Sequence, residues 1–274
     1  FSEQALEKLK AISIDSIMRA KDSPQSVGFN LMQKEIYKGH PFGWTFDVAT
    51  EKIKNTKMQD LKKLSSEYIS PENFVFTCVG DFDLEKMQQT IEKIFGKWKK
   101  SEDTKKVEII EHQSKPCENI DHFMMRDQVV LLLGESNPLN VYDNDLVPLQ
   151  LISSACFDAL GSKLGELRER SGLFYTAAGN WGIRASKIHG FNYLYALLSL
   201  ENVDRVESEI RKLVDQIGRE GINQTELESA RKTYLNEYLN SISSNSSISK
   251  KFEALEEFEL GFDYPDKVLK RVQT

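Results

Sequence analysis

Apolar residues recur at helical intervals from the start of the chain. Leu6, Leu9, Ile12, Ile14, Ile17 and Met18 fall between Glu3 and Lys21, and Asp22-Ser23-Pro24 stops that helix and starts a second. The second is predicted to run from Pro24 to about Tyr37 with Val27, Leu31 and Ile36 inward, and a third from Lys57 to Ile69. Phe74 to Val79, rich in Phe and Val between Pro71 and Gly80, reads as a short buried strand. Leu84 to Phe95 returns to the helical period and ends at Gly96.

Lys99 to Lys106 is charged and Glu108 to Pro116 is mixed, which reads as a linker-like excursion. Asn119 to Arg126 and Gln128 to Glu135 then read as strands, the second containing Val129-Val130-Leu131-Leu132-Leu133. From Asn144 to Leu160 the apolar positions Leu146, Leu149, Leu151, Ile152, Ala155 and Phe157 cover most of a helix circumference, the pattern of a helix buried on all sides. A charged helix ending at Gly172 feeds into Phe174 to Ile183, which with His189 to Ser199 forms an expected antiparallel pair turning at Arg184 to Lys187. Helices are predicted over Val203 to Glu220, Thr225 to Asn240 and Ser249 to Leu260, with Ser241 to Ser249 as a solvated connector. Strands in pairs and helices in runs predict an α+β fold, a mainly antiparallel sheet with helices packed on one face.

The helix end at Gly172 brings a guanidinium, Arg168, and a phenol, Tyr175, to one helix-to-strand junction. Such a pair can grip a peptide carbonyl or a developing oxyanion. A purely structural reading stands beside it: Arg168 as a cation favourable to the helix dipole and Tyr175 as an ordinary strand aromatic.

The stretch from Gly161-Ser162-Lys163-Leu164 to Leu167-Arg168-Glu169-Arg170-Ser171-Gly172-Leu173-Phe174-Tyr175 resembles a motif of the pitrilysin/insulinase family of zinc metallopeptidases, which includes mitochondrial-processing-peptidase-like proteins. Three further pieces in the same order are similar to that family: Gly39-His40-Pro41-Phe42-Gly43-Trp44, the run Tyr68-Ile69-Ser70-Pro71-Glu72-Asn73 continuing to Val79-Gly80-Asp81, and Ile94-Phe95-Gly96-Lys97-Trp98. The resemblance implies a metallopeptidase-half-like layer architecture, with residues 1–60 as the helical tail of a preceding subdomain and 61–274 as a C-terminal-type α+β domain. It also implies that Arg168 and Tyr175 belong to a half without zinc and bind peptide substrate beside the metal of another half, present in cis or in trans.

Catalysis in that family needs H-x-x-E-H on a helix, with a distant Glu as third ligand. The four histidines, His40, His112, His122 and His189, are each more than four residues from the next, so the motif is absent. His40 reads as a loop-capping residue beside Pro41, and His189 as a strand-start residue. Matching to the family puts Ser16, or Asp15 with a slip of one residue, where a catalytic half would carry its third ligand; serine is a poor zinc ligand, and a non-catalytic half is favoured over a catalytic half entered downstream of its H-x-x-E-H. No metal and no other cofactor is therefore expected in this chain, the zinc being supplied by the partner half. A retained fold serving as a structural subunit is the alternative, and an unrelated α+β binding module a third reading.

Composition narrows the remaining classes. The 36 basic and 42 acidic residues are interspersed and give a net charge of -6, without the basic stripe of a nucleic-acid binder. The apolar runs are too short to span a membrane. Three cysteines, Cys78, Cys117 and Cys156, show no metal spacing, and Cys78 and Cys156 lie in apolar runs where a thiol is expected to be a small buried hydrophobe. The chain lacks a start methionine and reads as a piece of a longer polypeptide, with any signal peptide upstream.

Overall fold

A computed structural model describes residues 2–99, 105, 119–158, 161–183 and 185–273. The chain begins with α1 (Glu3–Lys21), α2 (Pro24–Ile36), α3 (Phe46–Asn55), α4 (Met58–Tyr68) and α5 (Leu84–Phe95). It continues through β1 (Val129–Ser136), α6 (Leu146–Phe157), α7 (Lys163–Ser171), β2 (Phe174–Ile183) and β3 (Phe191–Leu198). It ends with α8 (Val203–Glu220), α9 (Gln224–Ser241), α10 (Asn245–Glu257) and α11 (Tyr264–Gln273). Mixed helices with a small antiparallel sheet are thus observed, as the α+β reading anticipated.

The sheet has the order β1-β3-β2 with both pairings antiparallel. Strand alternation sorts its side chains. Leu194, Ala196 and Leu198 of β3 join Phe174 and Ala177 of β2 in the main core with Phe157, Leu164, Leu167, Val206 and Ile210 from α6, α7 and α8. The intervening Tyr193 and Tyr195 meet Phe29 of α2 edge-on, at ring separations of 4.9 and 6.5 Å. Helices α6 to α8 therefore cover one face, and α2 crosses the other. Gly28 is small because of that crossing, since a Cβ there would run into the Leu132 side chain of β1.

Four expectations are corrected. Phe74 to Val79 is not a strand but an irregular run with Phe74, Val75 and Phe76 all close to half exposed. No strand among the described residues pairs with it, and its rings gather instead on α5 and the residues after it: Phe74 lies 5.5 Å from Phe95 and 5.3 Å from Trp98. Asn119 to Arg126 is likewise irregular, and Phe123 and Met125, which a half-buried strand would have covered, stand out in solvent. Cys78 is exposed because the run that carries it is uncovered, whereas Cys156 is buried on α6 as expected. The Ser241 to Ser249 stretch is only in part a connector: Ser244 caps α10 by accepting from the Ser247 N–H at 3.2 Å, so that helix starts at Asn245. The closing helix α11 is unanticipated; its Val268 and Val272 seal a second core with Val147 and Leu151 of α6 and Ala230 of α9. The Glu108 to Pro116 excursion and Cys117 lie outside the described residues, as does most of Lys99 to Lys106.

Candidate functional site

The junction between α7 and β2 is built by local rules. Ser162 caps α7 by accepting from the Gly165 N–H at 3.1 Å, and Leu164 and Leu167 bury the inner face of the helix. At the other end Gly172 adopts φ 63°, the left-handed conformation that lets a helix stop and reverse, and its N–H donates to the Arg168 carbonyl at 3.0 Å. Two residues later the strand begins.

Its first turn of pairing is irregular: Phe174 stands opposite Leu198 but Thr176 opposite Leu197, so Tyr175 is the extra residue of a bulge. Phe174 and Ala177 point into the core, and the bulge re-aims Tyr175 outward, leaving its side chain about half exposed. The Arg168 Nε donates to the Tyr175 carbonyl oxygen at 2.7 Å. The Tyr175 hydroxyl lies 3.4 Å from Ser199 Oγ at the end of β3. Arg168 and Tyr175 are thus brought together as the spacing implied, but the contact runs from guanidinium to main chain. Among the described residues no hydrogen bond engages either terminal guanidinium nitrogen, so the fork is fixed at its Nε and open at its tip. Such an arrangement can donate to a carbonyl or carboxylate without first having to order the arginine. The bulge could not have been read from the sequence; pairing register alone reveals it.

Lys163, at the start of α7, anchors the corner to α9 through a 2.6 Å ion pair with Glu226. Hydrogen bonding to Glu226 outweighs burial and raises the Lys163 ammonium above its ordinary value. Burial would raise the Glu226 carboxyl, but the Lys163 ammonium and the Asn223 N–H outweigh it and hold it low. Beneath the pair, burial pushes the Cys156 thiol up to about 11, with Lys163 opposing and Glu226 reinforcing the shift; the thiol is inert at neutral pH.

The histidines are dispersed. His40 is buried and its Nδ1 accepts from the Phe42 N–H at 3.1 Å, the capping role expected of it, with burial lowering its pKa. His189 precedes β3 and offers its carbonyl to the Tyr37 hydroxyl at 3.3 Å. His112 lies outside the described residues. Among the described residues no three His, Cys, Asp or Glu side chains converge as a metal requires, so these residues do not fit the family's zinc. No helix among them is long and apolar enough to cross a membrane.

Comparison with known proteins adds the relatives. The chain is 22% identical over 253 residues to the uncharacterized zinc protease YmxG of Bacillus subtilis, covering 91% of this chain and 60% of that protein. It is 22% identical over 240 residues to the non-peptidase homolog YmxG of Helicobacter pylori, covering 86% of this chain and 54% of that one. The chain therefore spans little more than half the length of these relatives. The crystal structure of a peptidase M16 inactive domain from Pseudomonas fluorescens superposes with a TM-score of 0.86 at 19% identity, over 100% of this chain and 64% of that one. Residues 56–234, more than half of the chain, match the family model of the peptidase M16 inactive domain. The chain belongs to the peptidase M16 family, as a non-catalytic half.

Proposed function

We propose that this chain is the substrate-gripping half of a zinc-dependent endopeptidase, contacting peptide beside a zinc site supplied by another half or subunit. The observation that carries the reading is the exposed Arg168 fork, held at its Nε by the Tyr175 carbonyl with no hydrogen bond to its terminal nitrogens among the described residues. Tyr175, re-aimed by the bulge, adds a phenolic donor on the same corner. Donors fixed in advance favour a developing oxyanion more than a neutral carbonyl, so the corner would act on kcat as well as on KM. The division into residues 1–60 and 61–274 belongs to the same proposal, supported by a family match that begins at residue 56.

In the complete enzyme with its H-x-x-E-H half, Arg168→Ala is expected to lower kcat/KM for a quenched fluorescent peptide about 100-fold, the scale of a lost oxyanion donor. Tyr175→Phe should cost about tenfold, the scale of one hydrogen bond. Unchanged kcat/KM in the double variant would remove the assigned role.

A scaffold without peptidase activity is the second reading, favoured by the Helicobacter relative that is called a non-peptidase homolog. Its discriminating observation is the absence of H-x-x-E-H from both the full polypeptide and every stable partner of the purified protein. In that case Arg168→Ala would leave assembly and all measurable turnover as they were.

A further inference from the structure

A second concave site lies away from the Arg168 corner, between α6, α9 and α10. Read as a sequence, α6 is apolar all round, yet Gln150, Ser153 and Ser154, with Asp158 at its C-cap, turn one polar stripe into a cavity of about 390 Å³. On the facing helix α9, Tyr234, Glu237, Tyr238 and Ser241 recur at i, i+3, i+4 and i+7, so this helix also turns a single face to the cavity. Two packed helices ordinarily meet through apolar ridges. Here α6 and α9 do meet through Leu151 and Ala230, but beside that apolar seam they leave an open cleft with polar side chains along its walls.

The charges in that space are unevenly matched. Asp158 accepts the Ser154 hydroxyl at 2.6 Å, while Glu237 has neither a hydrogen bond nor an ion pair among the described residues. Glu237 is largely exposed at the rim of the cleft, and its partial burial with the neighbouring Asp158 charge pushes its carboxyl up. The cavity's one cation, Lys251 of α10, pairs with neither carboxylate among the described residues; its Nζ lies over the Tyr238 ring, 3.5 Å from the centroid. The wall thus already seats an ammonium group on an aromatic face, while the two carboxylates nearby keep no cation between them.

We propose that this cavity binds an exogenous ammonium or guanidinium group, held by Asp158 and Glu237 and stacked on the tyrosine rings of α9. The chemistry can come from a basic side chain of a bound peptide or from a free organic cation. Isothermal titration of the full-length protein separates the sources with two probes: argininamide, and a neutral capped pentapeptide with one central arginine beside its citrulline counterpart. Binding of argininamide as tight as that of the arginine peptide identifies a free-cation site. Binding of the arginine peptide alone, lost with citrulline, identifies a peptide subsite. In either case Glu237→Gln and Asp158→Asn should each weaken binding about tenfold, the effect of removing one charge-assisted hydrogen bond. Lys251→Met, which removes the competing ammonium, should tighten it. Binding of neither probe, or binding unaltered by both carboxylate substitutions, overturns the proposal. Far-ultraviolet circular dichroism and thermal melts of the two isosteric variants establish that a loss is not unfolding.

Discussion

Helices α5 and α6 are each 12 residues long, and the sequence advertises them in opposite ways. Along α5 the apolar positions Met87, Ile91 and Phe95 recur at i, i+4 and i+8 amid charge, a clear amphipathic stripe; along α6 apolar residues occur nearly all round. Yet α5 buries no residue, and neither do α3 and α4, whereas α6 buries six. Amphipathicity shows that a helix has a face to cover, but only the neighbouring surfaces decide whether it is covered. For α6 those surfaces are β2, α9 and α11; for α5 they are an irregular aromatic run.

The widest test of this contrast is a pair of core and edge truncations. Phe157 is wholly buried and stacks 4.6 Å from Trp181, so Phe157→Ala should cost about 3–5 kcal/mol in denaturant unfolding. If it cost as little as a truncation on α5, the assignment of stability to the sheet and the helices from α6 onward would fail.

The same contrast explains what was legible in the sequence. Helices α1, α2, α5, α7 and α8 carry their boundaries in capping residues, in Pro24 and in Gly96 and Gly172, all local signals. Strands β1, β2 and β3 were legible because long apolar runs there meet partners in the sheet. Phe74 to Val79 has the same composition and no ladder among the described residues, and composition alone cannot supply one. That Arg168 and Tyr175 meet at one junction was legible from the spacing around a helix-ending glycine; their proposed substrate role came from the family resemblance. The Arg168 contact to main chain, the bulge and the cavity between α6 and α9 depend on register and on facing helices, which no local pattern encodes.

Next in size is Gly179, at the centre of β2. A Cβ there would run into the Leu194 side chain and lie 2.8 Å from the Tyr193 carbonyl oxygen, so Gly179→Ala should cost about 1–3 kcal/mol through forced backbone movement. A melting temperature equal to that of the parent would show that β2 and β3 are less closely packed than their register implies.

A smaller effect, with a pH signature, comes from the Lys163–Glu226 pair that ties α7 to α9. Lys163→Met should cost about 1 kcal/mol at neutral pH. The low Glu226 pKa means that its contribution is complete above the ordinary carboxyl value of 4.5 and is lost as pH falls through its depressed folded value. The raised Lys163 pKa means that its contribution is complete below 10.5 and is lost as pH rises through its elevated folded value. Stability curves of parent and variant should therefore differ most between those limits and converge beyond each. A difference independent of pH would assign the loss to packing of the lysine stem.

The smallest expected effect addresses α5 directly. Ile94 is 62% exposed and Leu84 64%, so neither side chain leaves a cavity when shortened. Ile94→Ala and Leu84→Ala in this chain should each change stability by no more than about 0.5 kcal/mol, the range of surface substitutions away from caps and buried contacts. Measured again in the longer polypeptide that relatives of this family possess, the two substitutions acquire a second meaning. A cost that rises there to about 2 kcal/mol would identify α5 as a helix covered by residues beyond this chain, because only burial makes truncation of a branched side chain that costly. An unchanged small cost would mean that the apolar stripe of α5 stays open in the whole protein, and that its amphipathicity serves the Phe74, Phe76 and Trp98 cluster alone.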